Sequence, residues 1–265
     1  MTVQMAAANV VAHGAAGFYP GCPETVDAAL ARGRILRRPR WGLWDVLIAF
    51  VGAIGLGFLV SLVLPAVTSD DPPAGQLLLA VTVPWLAMAG WPLLATTWRG
   101  NGPRIDLGLR LGWRDLGAGA LGGVTAWAVL AAVALATVAV TGEFTSAAGE
   151  VAAELVRDGN RLWLLGFALA VGLGAPIVEE ILFRGLFYDA LRKRGVHDGW
   201  VVAVTAVAFA AVHFEPVRLP LLIAMGVITG VLRWKTRAIG AGIVAHAMVN
   251  LPGAILVAMG LPGGS

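Results

Sequence analysis

Charge is what this chain has least of. Only 13% of its 265 residues are Asp, Glu, Lys or Arg, about half the share of an ordinary soluble domain. With 58% hydrophobic residues and a mean hydropathy of +0.80, that scarcity excludes a soluble globular fold. Cysteine is scarcer still: Cys22 stands alone, so no intrachain disulfide and no cysteine-rich metal site can form. The pattern His-Glu-x-x-His is missing, and Gly172-x-Gly174 lacks the third glycine and preceding strand of a nucleotide loop. Residues 1–43 lack the charge-then-apolar order of a cleaved signal. They read instead as a flexible basic cytoplasmic tail ending in Arg32, Arg34, Arg37, Arg38 and Arg40. The net charge of +3 is spread over loops between apolar runs, so it orients the chain in a membrane and implies no nucleic-acid partner.

What the chain does have is long hydrophobic runs, each near the roughly 20 residues needed to cross a bilayer. They lie at about 44–67, 77–97, 116–140, 162–191, 200–214, 219–232 and 239–259. The fold class expected is therefore all-α, a polytopic transmembrane helical bundle occupying 44–265. It has about seven spans, or eight if the long fourth run, with Gly172, Gly174 and Pro176, is re-entrant. The fifth and sixth runs are short and read as tilted spans or as a hairpin that does not fully cross. Pro84 and Pro92 predict a kink in the second run. An inside N-terminus puts every arginine-rich loop on the cytoplasmic side, and puts Asp70-Asp71 and the acidic stretch around 143–158 outside. Gly119-x-x-x-Gly123 and Gly226-x-x-x-Gly230 read as close-packing helix faces within one chain.

Against this apolar background three polar clusters stand out: Glu179-Glu180-x-x-x-Arg184, Phe209-x-x-x-His213 and His246-x-x-x-Asn250. A charge at bilayer depth costs roughly 2.5–3.5 kcal/mol on insertion scales. Glu180 and Arg184 are one helical turn apart and can neutralise each other. Glu179 points about 100° away, without such a partner, and desolvation is expected to raise its pKa and make it a usable base. At about 1.5 Å per residue, Glu179, His213 and His246 fall at a common depth within the membrane. A carboxylate, two imidazoles and an amide suit hydrolysis of a peptide bond by water. Glu179 with His213 would take a proton from the water, and His246 with Asn250 would hold the developing oxyanion. The bland alternatives are a buried ion network for Glu180 and Arg184, a packed core histidine at 213, and interhelical glue for His246 and Asn250.

The three motifs, in this order on successive apolar runs, resemble the CPBP intramembrane proteases, also called the CAAX-protease or Abi family. The resemblance covers about 160–255. It implies that Glu179 activates water together with His213, that His246 and Asn250 form the oxyanion pocket, and that Glu180, Arg184 and Phe209 support the site. It also implies a peptide or lipid-modified protein as substrate and membrane lipids as surroundings. The family's metalloprotease label leaves two versions open. In one no cofactor is required; in the other zinc is held by Glu179, His213 and His246 with an open position for water. A non-catalytic scaffold or bacteriocin-immunity factor of the same fold is the alternative function. A proton-coupled transporter fits less well, since no inverted repeat is evident. Alanine, glycine and arginine usage points to a GC-rich bacterium, hence an integral protein of the bacterial plasma membrane.

Overall fold

The computed structural model describes residues 22–64 and 74–261. The start of the tail and the expected Asp70-Asp71 loop lie outside them. Among the described residues every regular element is helical. In chain order they are α1 (Pro23–Ala31), α2 (Leu43–Val63), α3 (Ala74–Arg99), α4 (Pro103–Asp106), α5 (Trp113–Thr141), α6 (Ala147–Asp158), α7 (Arg161–Arg192), α8 (Asp198–Ala211), α9 (Leu219–Thr236) and α10 (Gly240–Ala258).

The chain is a helical membrane bundle. Among the described residues six helices, α2, α3, α5, α7, α9 and α10, are long and apolar enough to cross a membrane. The expected seventh, α8, is apolar but has 14 residues. At 1.5 Å per residue that is about 21 Å, short of a hydrocarbon layer of roughly 30 Å. Exposed tryptophans mark one membrane boundary. Trp44, Trp98, Trp113 and Trp200 are 66–88% exposed and stand at the α2 start, the α3 end, the α5 start and the α8 start. Amphipathic indole rings favour the headgroup level, and the arginine-rich loops lie at this same end. We call it the basic end.

Two sequence expectations change. The fourth run is not re-entrant: α7 is one 32-residue helix, and it absorbs its glycines and Pro176 in widened turns at Ala170–Gly174 and Ile181–Phe187. The stretch around 143–158 is not merely a loop, because most of it forms α6. Ser146 accepts from the Gly149 amide at 2.9 Å to start this helix, and left-handed Gly159 ends it. Between its charges lie the apolar positions Ala152 and Leu155, which are buried with Leu77, Leu164, Phe167 and Val257. The α6 helix thus seals the end of the bundle opposite the basic one. The kink expected in α3 is present, as a turn at Val83-Pro84 and a widened turn at Leu86–Gly90.

From Cys22 onward the expected tail is packed. Cys22 is 1% exposed, and Val26 and Ala29 of α1 sit against Ile105 of α4. Residues 34–42 then run as a strap across the basic end: Asn101 bonds the backbone of Arg37 on both sides at 2.8 Å. Asp106, fully buried, accepts from the Trp41 indole at 2.8 Å and the Asn101 amide at 2.7 Å. Burial pushes the Asp106 carboxyl above the usual carboxylate range, against the lowering effect of these donors. The Lys193 ammonium, pushed down by burial, donates to Pro39 and Trp41 carbonyls and lies 4.0 Å from the centre of the Trp41 ring. Behind the strap, Leu107 is fully buried in a core with Phe183, Leu186, Phe209 and Ile239.

Both glycine patterns pack within the chain. A side chain at Gly226 would meet Ala206 of α8, and one at Gly119 or Gly123 would meet Val244 or Met248 of α10. Since the Asp106 charge is itself disfavoured by burial, Asp106→Asn should keep both donors paired through its amide oxygen and leave stability within about 1 kcal/mol. Asp106→Leu should orphan two buried donors and cost about 2–4 kcal/mol. Thermal unfolding of the detergent-solubilised chain checks both.

Candidate active site

The central helix α7 delivers three of the polar residues. Its second widened turn, Ile181–Phe187, follows directly on Glu180 and contains Arg184. Glu180 and Arg184 are both fully buried and paired at 3.0 Å, as their one-turn spacing implied. Arg184 also donates to the Gly226 carbonyl of α9 at 2.9 Å and lies 4.8 Å from the Phe209 ring centre. The α9 helix holds residue 184 a second time, two turns on: Arg233 Nε donates to the Arg184 carbonyl at 2.8 Å and the same guanidinium pairs with Asp189 at 2.5 Å. A buried pair whose arginine is held by a further hydrogen bond is what makes ions tolerable here, because half a pair left in a dry interior costs several kcal/mol.

Glu179 points elsewhere. Its side chain is 16% exposed, and its Oε2 lies 3.7 Å from His246 Nε2 on α10. The other ring nitrogen of His246, Nδ1, is 3.4 Å from Glu180 Oε1, within ion-pair range but not aligned as a hydrogen bond. The imidazole therefore stands between the two adjacent carboxylates. His246 can come this close because Gly242, one turn earlier on the same face, has no side chain. A Cβ there would sit 2.5 Å from Glu180 Oε2.

His213 joins through aromatic packing. It sits in the turn after α8, half-buried, with Nδ1 2.7 Å from the Phe209 carbonyl and its ring 4.8 Å from the Phe209 ring. Phe209, 1% exposed, is 5.9 Å from the His246 ring on its other side. Asn250, half-buried on α10, donates from Nδ2 to the Val171 carbonyl of α7 at 3.0 Å.

Six of the seven residues singled out from sequence are thus linked by direct contacts across α7, α8 and α10, and the seventh, Asn250, is tied to the α7 backbone at Val171. Sequence reasoning missed that Glu179 faces His246 rather than lacking a partner. It also missed Gly226, Arg233, Asp189 and Gly242. Only Gly242 carried a local signal, since a glycine one turn before a membrane histidine marks close approach. Among the described residues no group of three or more His, Cys, Asp or Glu side chains is placed so that it could hold a metal ion.

The family comparison falls on this neighbourhood. Residues 161–252, from the α7 start to just past Asn250, match the family described as type II CAAX prenyl endopeptidase Rce1-like. The match covers roughly a third of the 265-residue chain, and this stretch is similar to that family. No curated protein and no solved structure matches the chain. The Rce1-like segment takes in α7 through most of α10, so all three polar motifs fall inside it, while α2, α3 and α5 frame it from outside.

Within the Rce1-like segment the glycine against Glu180 gives a direct test. Gly242→Ala should displace the carboxylate and cost about 1–3 kcal/mol through overpacking. Gly253→Ala, on the same helix with nothing within 4 Å of a new Cβ, should be neutral or stabilising by up to about 1 kcal/mol. Unfolding midpoints of the two variants decide.

Proposed function

We propose that this protein is an intramembrane endopeptidase that cuts a peptide bond in a membrane-associated or lipid-modified protein or peptide. The observation that carries the reading is the division of labour between adjacent acids. Glu180 is fully buried and held by Arg184, whereas Glu179 is partly exposed beside an imidazole. A pure packing network has no use for a second, partly exposed carboxylate. The Rce1-like match of residues 161–252 supports the same reaction class.

The chemistry follows from the placement. Water at Glu179 gives a proton to the carboxylate as its oxygen adds to the scissile carbonyl carbon. His213, held through Nδ1 by the Phe209 carbonyl, keeps Nε2 for that water. A proton on His246 Nε2, which lies 3.7 Å from Glu179 Oε2, turns to the oxyanion. The second Nδ2 proton of Asn250 does the same, the first being engaged by Val171. Collapse of the tetrahedral intermediate breaks the C–N bond, and the proton held by Glu179 leaves on the amine. No step passes through a metal ion. Membrane lipids and a peptide substrate are the partners. The N-terminus lies on the cytoplasmic side of a bacterial plasma membrane, the side to which the positive-inside rule assigns the basic end.

The test uses an internally quenched, C-terminally prenylated peptide with the protein in liposomes. Glu179→Gln should lower kcat by about 10²–10⁴-fold, the range of a lost general base. His246→Ala and Asn250→Ala should each lose about 10²–10³-fold as oxyanion donors. Cleavage should persist after exhaustive chelation. Cleavage by Glu179→Gln at the wild-type rate would overturn the proposal and leave a binding scaffold; loss of activity on chelation, restored by zinc, would overturn the metal-free version.

A further inference from the structure

Pro176 stands one turn before Glu180, and its ring carries no polar atom. Its effect is on the backbone. In the first widened turn of α7 the Ala175 amide donates to the Ala170 carbonyl, five residues back instead of four. The next donor in that register would serve the Val171 carbonyl and would come from residue 176. That residue is proline, which has no N–H. The Val171 carbonyl is thus left without its main-chain donor inside an apolar bundle, where an unsatisfied group costs several kcal/mol. Asn250 supplies the missing donor: its Nδ2 lies 3.0 Å from Val171 O.

From this chain of contacts we infer that Pro176 is a positioning residue for Asn250. The carbonyl that proline orphans fixes the plane of the asparagine amide through one Nδ2 proton. The second proton is thereby left for an acceptor outside this bond. The link also ties the oxyanion donor to the helix that carries Glu179, so acid and donor move as one body. The inference rests on the proteolytic reading only for its kinetic consequence; the structural link stands apart from it.

The chain has four asparagines, so protein labelled with ¹⁵N at the asparagine side-chain amides gives a readable spectrum in detergent micelles. The Asn250 pair is assigned by its disappearance in Asn250→Asp. In the wild-type chain one Asn250 amide proton should be shifted downfield and exchange with solvent at least tenfold more slowly than those of Asn160 at a helix start. Two freely exchanging Asn250 protons would overturn the inference without any variant. Pro176→Ala restores an N–H able to reach Val171 or Gly172, so the Asn250 pair should move toward the unbonded shift. Against the prenylated peptide, kcat should fall about tenfold with KM within twofold, in a protein no less stable than wild type. An unchanged Asn250 pair in Pro176→Ala, or an unchanged kcat beside an active wild type, would equally overturn it. A wild-type chain that cleaves nothing would count against the proteolytic reading alone, since the amide spectrum still decides the link.

Discussion

A carboxylate and a guanidinium with no solvent contact, Glu180 and Arg184, anchor the rest of the polar architecture. Neither could stay ionised in an apolar bundle alone. Each therefore draws in further groups: the Gly226 carbonyl and the Phe209 ring gather around the arginine, and His246 around the glutamate. Once α8, α9 and α10 are committed to that pair, the position of Glu179 follows, because it is the next residue on the same helix and must point toward whatever gap the pair leaves. The partly exposed carboxylate is placed by its neighbour's burial.

The backbone of α7 is shaped to the same end. Two widened turns bracket Glu179 and Glu180, one ending at Gly174 and the other starting at Ile181. Widened turns free carbonyls and rotate side chains relative to a regular helix, which is why they recur at functional sites. Here one carbonyl in each turn finds a donor from another helix, Asn250 for Val171 and Arg233 for Arg184. The irregularity of α7 is thus stitched to α9 and α10, and it gives the site its rigidity.

Much of this was legible in the sequence, and the reasons are particular. Hydrophobic runs found the helices because the bilayer imposes length and apolarity together. The Glu180–Arg184 pair followed from one-turn spacing, and the glycine patterns from the closeness they permit. Three features were not legible. The α6 helix is amphipathic, and its charges masked its buried face. The unbroken path of α7 through Gly172, Gly174 and Pro176 depends on a donor from α10 that no local reading supplies. The approach of His246 to Glu179 is a matter of how two helices rotate against each other, set by Gly242 and by the packing of Gly119 and Gly123 on α10. Tertiary rotation leaves little trace in spacing.

The brevity of α8 has a bearing on the solvent. Its helix stops after 14 residues, and His213 sits in the turn just beyond. Lipid tails beside this flank face a protein wall about 9 Å shorter than the hydrocarbon layer. They must splay inward to meet it, or water must descend along the α8–α9 turn. In either case water has a shorter path to the His213 imidazole at this flank than along the long helices.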